Sequence, residues 1–136
     1  AEYVNGCGSE CVAWRAQVEL PATAALYDGD DGYVGTAPVG SFPMGATQLG
    51  AVDMIGNVFE WTAEPFASYE GDGDSEGDGD SDGAPDPSRR VVRGGAFTSF
   101  DAAHANPALR YPMDAQTHSH GVGFRCAAAP RTDAAS

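Results

Sequence analysis

The apolar residues of this chain fall in short groups separated by glycine, aspartate and proline. Over residues 11–20, apolar side chains alternate in part with polar ones: Val12, Trp14, Val18 and Leu20. This spacing fits a strand and a short helix equally well, so both remain open. Residues 28–50 are dense in glycine, aspartate and proline, and we predict an ordered loop there rather than a hydrogen-bonded ladder.

Two later stretches alternate as strands do. Residues 90–97 predict a strand with Val91, Val92 and Phe97 buried, and the two glycines within it indicate a bulge or a close backbone approach. Residues 122–126 carry apolar side chains at every second position, which predicts a short final strand with one face towards the core. We expect these two strands to pair.

An acidic low-complexity run covers residues 70–86 and holds eight of the twenty acidic residues. We expect it to be a solvated, mobile insertion, because it has almost no apolar side chain to bury. Removing its eight negative charges from the net charge of −13 leaves −5, so the folded body is mildly acidic.

Part of this run imitates the start of an EF-hand calcium loop. Aspartates alternate from Asp78 to Asp82 and a glycine follows, but the closing position holds Arg89 instead of a bidentate glutamate. No flanking helices are predicted. A flexible linker that condenses cations loosely is therefore the preferred interpretation.

The charge balance excludes two classes of partner. The chain has no lysine and only seven arginines, and its net charge of −13 would repel nucleic acid phosphates and anionic lipid. No segment approaches the ~18 consecutive apolar residues that a membrane span needs. The first residues lack the pattern of a signal peptide, so we expect any leader to lie upstream.

Three cysteines allow at most one bridge within the chain. A bridge implies an oxidising compartment, which favours an extracytoplasmic location, secreted, periplasmic or on the cell surface. Three reduced cysteines in a cytosolic protein are the alternative. A small ring between Cys7 and Cys11 is one way to pair them, although the short spacing predicts strain.

Three motifs occur in a defined order: residues 53–61 (Asp-Met-Ile-Gly-Asn-Val-Phe-Glu-Trp), 93–96 (Arg-Gly-Gly-Ala) and 123–127 (Gly-Phe-Arg-Cys-Ala). Together with the start, residues 1–7, they resemble the formylglycine-generating enzyme, or sulfatase-modifying factor, domain family. The resemblance implies an α+β, C-type-lectin-like fold, rich in loops, with short antiparallel strands. Residues 1–136 would form the C-terminal part of one such domain. The upstream half would then be absent or bound as a separate chain.

The resemblance also implies a disulfide between Cys7 and Cys126, which would tie the first turn to the last strand. In the chain-entropy model a closed loop of this length contributes roughly 4 to 5 kcal/mol.

A calcium site is the first chemistry that the motifs indicate. Asp53 and Glu60 offer carboxylate oxygens, and a turn at Gly56 and Asn57 can aim carbonyls inward. The resemblance implies a calcium ion bound by the Asp53 side chain, the carbonyls of Gly56 and Val58, and the Glu60 carboxylate. The alternative is a tight turn with two solvated acids.

A second calcium site is implied by the family's Asp-Gly-aromatic step, here Asp31 to Tyr33. The upstream asparagine that the family site uses is not found in this chain. Asp28 and Asp30 are candidate substitutes because they supply the same hard oxygen ligands.

The family's catalysis depends on two cysteines that bind copper and oxidise a cysteine of a bound sulfatase peptide. The resemblance puts Ser99 and His104 at those positions, with Phe59 in place of a tryptophan and Ala96 in place of a serine. A hydroxyl cannot replace a thiolate as a ligand of Cu(I). We therefore expect the formylglycine-forming oxidase activity to be absent.

Three histidines lie in the region that shapes the family's groove: His104, His118 and His120. Two of them on one strand face, joined by the third, would suit copper or zinc, whereas exposed or hydrogen-bonded loop histidines are the simpler interpretation. Ser99, Asp101 and His104 also supply the residue types of a nucleophile triad, as many loops do.

Three functions follow from these features. The first is a non-catalytic, calcium-stabilised recognition module that presents residues 99–120 to a protein, peptide or glycan. The second is a metal-dependent oxidoreductase of the same superfamily that uses histidines in place of cysteines. The third is a structural component with the acidic run as a solubilising spacer.

Overall fold

A computed structural model describes residues 1–67 and 85–128. Most of the predicted acidic insertion, including its EF-hand-like stretch, lies outside the described residues. Asp86, the last residue counted in that insertion, is instead the first residue of a strand.

The described elements are one helix, a single 3-10 turn and one small sheet: α1 (Ser9–Gln17), the turn (Pro43–Gly45), β1 (Phe59–Phe66), β2 (Asp86–Arg93), β3 (Tyr111–Asp114) and β4 (Val122–Gly123). The sheet order is β3-β2-β1-β4, with β4 parallel to β1 and the other pairs antiparallel. A small mixed sheet with few helices is an α+β architecture, as predicted. No helix in the described ranges is long and apolar enough to cross a bilayer.

The long loop over residues 28–50 is confirmed, since the 3-10 turn is its one regular element among the described residues. Buried asparagines hold it. The Asn57 side chain accepts a hydrogen bond from the Ala37 amide (2.9 Å) and donates one to the Ala37 carbonyl (3.2 Å). Asn5 Nδ2 donates to Gly35 O (3.0 Å) and to Asn57 Oδ1 (3.3 Å). Hydrogen bonds from side-chain amides thus take the place of the main-chain hydrogen bonds that a β-ladder would supply.

The expected pairing of the last two predicted strands is wrong, because β1 lies between β2 and β4. β2 ends at Arg93, where Gly94 and Gly95 take φ values of 89° and 76° and turn the chain out of the sheet. A Cβ atom at Gly94 would lie 2.9 Å from the Met54 carbonyl oxygen. The predicted close backbone approach is therefore confirmed at this glycine pair.

The core is small and centres on β2. Val91 and Val92 are fully buried, and Phe97 is buried just beyond the strand. The final strand contributes less than predicted: β4 stops at Gly123, and the Phe124 side chain is 75 % exposed. The prediction that residues 122–126 turn one face to the core is wrong beyond Gly123.

Residues 11–20, which the pattern left open, contribute to helix α1. Its apolar side chains are largely exposed, and Cys11 is its buried residue. The helix is attached through that residue, because Cys7 and Cys11 form a disulfide.

The disulfide implied by the family resemblance is therefore wrong, and Cys126 is exposed and free. The start of α1 brings the Cα atoms of Cys7 and Cys11 to 5.0 Å, within the range that a disulfide spans. Main-chain hydrogen bonds to Ser99 and Leu26 hold Cys7 in the interior, whereas Cys126 follows the exposed end of β4.

Candidate functional site

The predicted calcium loop before β1 is built on a left-handed turn. Gly56 and Asn57 have φ values of 77° and 63°. A Cβ atom at Gly56 would lie 2.1 Å from the Asn5 carbonyl oxygen, so only glycine fits. The turn at Gly56 and Asn57 is confirmed. Asp53 is also left-handed, with φ 54°, and its carboxylate accepts a hydrogen bond from the Gly40 amide at 2.7 Å.

The oxygens of this loop converge on the guanidinium of Arg125. Both carboxylate oxygens of Glu60 accept hydrogen bonds from it, Oε2 at 2.6 Å from Nε and Oε1 from Nη2. The carbonyl oxygens of Val52 and Asp53 accept two more, at 2.9 and 2.8 Å. Hydrogen bonding to Glu60 raises the pKa of Arg125. In this geometry the Glu60 carboxylate and the Asp53 main-chain carbonyl hold an arginine, while the Asp53 carboxylate is bonded to Gly40, so calcium at Glu60 would have to displace Arg125.

A second set of oxygens lies beside the start of α1. Ligand oxygens of Glu10, Asp30 and Asp31 lie within 4.8 Å of one another, and among the described residues this is the one such group of three side chains. Asp31 and the substitute candidate Asp30 were identified from the sequence, whereas Asp28 is not part of the group. Glu10 was missed. No local pattern links it to Asp30 and Asp31, because the fold brings the start of α1 beside their loop.

The three carboxylates are partly satisfied by main-chain amides. Asp30 Oδ1 accepts from Gly32 N at 2.7 Å, and Asp31 Oδ1 accepts from Tyr33 N at 2.8 Å. Glu10 Oε1 accepts from Gly8 N at 3.0 Å, but Glu10 Oε2 is buried without a hydrogen-bond partner. A buried, unpaired carboxylate oxygen beside two other acids is costly without a cation. These oxygen ligands fit calcium.

Tyr27 closes this cluster on its inner side. Its hydroxyl donates to Asp31 Oδ2 at 2.5 Å and accepts from the Gly6 amide at 3.2 Å. Burial, with the hydrogen bond to Asp31 second, raises the pKa of Tyr27 above its ordinary value. The phenol therefore stays protonated and keeps Asp31 oriented.

The residues of the predicted altered pocket separate into four groups. Phe59 stacks on Tyr111 with ring centroids 5.7 Å apart, and His104 meets the edge of the same tyrosine at 5.9 Å. His120 packs on Phe97 at 5.6 Å. The Phe59, Tyr111 and His104 rings form a partly exposed aromatic surface, which we call the aromatic patch.

Ala96 and Ser99 are buried. Ser99 is 6 % exposed, and its Oγ accepts a hydrogen bond from the Ala96 amide at 3.0 Å. His118 is exposed, and no histidine joins a group of three candidate metal ligands within the described ranges. The histidines are not brought together as copper or zinc would require.

The fold is an α+β domain whose long loop is held by hydrogen bonds from buried asparagine side chains and which carries clusters of carboxylate and carbonyl oxygens. The family profile of the sulfatase-modifying factor enzyme 1-like domain matches residues 6–130, and the chain belongs to this family.

Similar proteins agree with that assignment. The formylglycine-generating enzyme of Mycobacterium tuberculosis is 38 % identical over 76 % of this chain and 36 % of its own length. The enzyme of the same name from Thermomonospora curvata is 36 % identical over 88 % of the chain and 38 % of its length. The inactive C-alpha-formylglycine-generating enzyme 2 of Bos taurus is 30 % identical over 72 % and 28 %. The chain thus spans little more than a third of the first two relatives. No solved structure gave a significant match.

Proposed function

We propose that the chain is part of a non-catalytic, calcium-stabilised recognition module of the sulfatase-modifying-factor-like family, with a C-type-lectin-like scaffold. Its ligand is a protein, peptide or glycan. The proposal rests mainly on the environment of Ser99 and His104, the residues at the positions of the family's two catalytic cysteines. The Ser99 hydroxyl is buried in a structural hydrogen bond, and the His104 ring is packed against Tyr111.

A buried hydroxyl and a packed imidazole do not make a copper site, because Cu(I) is held by soft thiolates. A relative named as inactive shows that members without the activity occur in this family. The histidine-based oxidoreductase has no geometric support, since His104, His118 and His120 share no cluster of ligands in the described chain.

Recognition is assigned to the aromatic patch. Tyr111 is 39 % exposed, and Phe59 and His104 are half-buried beside it. Flat aromatic side chains give large contact area to a peptide or a sugar at a small cost in conformational entropy. Aromatic rings held by a sheet edge on one side and by a loop on the other suit a binding surface.

Calcium supplies charge balance to the loops when bound. Glu10, Asp30 and Asp31 are the residues that would hold it, and the unpaired Glu10 Oε2 favours this set. The Asp53 to Glu60 loop remains a second proposed site, in which calcium competes with Arg125 for the Glu60 carboxylate.

We propose an extracytoplasmic location. A Cys7–Cys11 bridge supports an extracytoplasmic protein. We also propose as a partner the N-terminal half of the same domain, present as a separate chain.

The non-catalytic part of the proposal is tested by adding Cu(I) and a cysteine-containing sulfatase-type peptide to the protein and measuring the mass of the peptide by mass spectrometry. We expect no formylglycine from the unmodified protein or from Ser99→Cys. The double variant Ser99→Cys with His104→Cys asks whether two thiols are enough. His118→Cys with Ser119→Cys is the control, because it supplies two thiols at an exposed position away from Ser99. Turnover by the unmodified protein would refute the non-catalytic assignment.

The recognition part is tested on peptide and glycan arrays. We expect binding that Tyr111→Ala weakens at least tenfold, about 1.4 kcal/mol. Tyr3→Ala is the matched control, because Tyr3 is an exposed tyrosine outside the aromatic patch. Equal loss in both variants would contradict the assignment to the aromatic patch.

A further inference from the structure

A cavity of about 210 Å³ opens between the start of β1 and the end of β2. Its lining includes Glu60, Trp61 and Arg93 from the two strands, with Met54, Pro107 and Arg125 from neighbouring loops. This cavity is separate from the acidic cluster at Glu10, Asp30 and Asp31, and it contains no residue of the aromatic patch.

The charges that line the cavity do not cancel. Glu60 is matched by Arg125, which holds both of its carboxylate oxygens. Arg93 is the cross-strand partner of Glu60 in the register of β1 and β2, yet it forms no ion pair with it. One guanidinium charge is left over, in a protein whose net charge is −13.

Arg93 is also held in a fixed orientation. Its Nη1 donates to the carbonyl oxygens of Pro107 and Ala108 at 3.2 and 2.9 Å. Its Nε and Nη2 groups have no hydrogen-bond partner among the described residues. Because a guanidinium presents its donors in a planar fork, fixing one nitrogen leaves an oriented pair of donors without the entropy cost of ordering the side chain.

We propose that this cavity binds a small monocarboxylate with an apolar body. Its two oxygens accept from Nε and Nη2 of Arg93, and its body contacts Trp61, Met54 and Pro107. The volume lies below the ~300 Å³ at which drug-sized pockets begin, so the ligand is small. The net charge of the protein opposes polyanions more than a singly charged acid. This proposal does not depend on the recognition proposal or on the acidic cluster; it shares Glu60 with the calcium site proposed in the loop before β1, and it applies to the structure in which Arg125 holds Glu60.

The test is a titration of the protein with phenylacetate, followed by the NMR signals of the arginine Nε–H and tryptophan indole N–H groups. Phenylacetamide is the neutral control, because it has the same shape without the charge. We expect saturable shifts of the Arg93 and Trp61 signals with phenylacetate, little change with the amide, and no change at Trp14, which lies on α1.

Arg93→Gln should weaken phenylacetate binding at least tenfold. Arg90→Gln is the matched control: it removes the same charge from the same strand, at a residue whose guanidinium bonds only main-chain carbonyls and does not line the cavity. A change within twofold is expected there. Equal losses in both variants would mean general electrostatics and overturn the proposal.

Two further outcomes also overturn it. One is an unmodified protein that binds phenylacetate and phenylacetamide equally well or binds neither, a result that decides the question even if Arg93→Gln fails to fold. The other is inorganic phosphate binding more tightly than phenylacetate, since that would assign the cavity to a different oxyanion.

Discussion

Replacing Asn57 with alanine tests how the long loop is held. The Asn57 side chain is 8 % exposed and satisfies the amide and the carbonyl of Ala37, itself buried, at 2.9 and 3.2 Å. Alanine removes both of these hydrogen bonds, together with the longer one from Asn5 at 3.3 Å, and leaves two main-chain groups unpaired. Each unpaired buried group costs about 1 to 1.5 kcal/mol, the low end of the usual range.

The backbone adds a second term. Asn57 has φ 63°, a conformation that asparagine tolerates and alanine adopts at a cost of about 1 kcal/mol. We therefore expect Asn57→Ala to lower the free energy of unfolding by about 3 to 4 kcal/mol, a large part of the ~5 to 15 kcal/mol typical of a domain. Asn57→Gly loses the same hydrogen bonds without the strain, so it should be about 1 kcal/mol less harmful.

Urea denaturation followed by fluorescence gives both numbers. With a slope of about 1 to 3 kcal/mol/M, the midpoint of Asn57→Ala should fall by at least about 1 M. Asn106→Ala is the control, because Asn106 is an exposed loop asparagine, and it should change stability by less than about 0.5 kcal/mol. A loss below about 1 kcal/mol in Asn57→Ala would refute the view that Asn57 holds the loop.

Three other predictions are independent of that one. Peptide mapping without reduction should show Cys7 linked to Cys11 and the third thiol alkylated, and three alkylated thiols in the untreated protein would contradict the structure. Replacing both bridged cysteines with serine should lower the free energy of unfolding, measured by urea denaturation, by about 2 kcal/mol. The pKa of Tyr27 is raised in the folded state, so the stability that its protonated form contributes is complete below the unfolded pKa of ~10 and is lost as the pH rises further. Between pH 9 and 11 the melting temperature of Tyr27→Phe should therefore fall less steeply than that of the unmodified protein. An unchanged slope would argue against this. Calcium added after chelation should raise the melting temperature. Loss of this effect in Glu10→Gln would identify the acidic cluster as the calcium site, and loss in Glu60→Gln would identify the loop before β1. No calcium effect in the unmodified protein would exclude both sites.

Local sequence determined the features that depend on neighbouring residues. The Gly56–Asn57 turn and the close approach at Gly94 could be predicted because only glycine, or an asparagine in a left-handed turn, fits such backbone geometry. The loop over residues 28–50 followed from its composition, since that stretch contains little that could form a ladder. The three motifs in their order were enough to predict the family, and the family in turn predicted the α+β class.

Only the tertiary structure decided which distant groups meet. The Glu60 carboxylate is held by Arg125, 65 residues away, and no local pattern marks such a pair. Glu10 joins Asp30 and Asp31 because α1 starts beside their loop. Strand order follows the same rule: alternation shows which residues are extended, but pairing depends on which edges the folded chain brings together. The disulfide is the opposite case: Cys7–Cys126 was implied by the family resemblance, whereas the bridge that forms joins two cysteines only four residues apart.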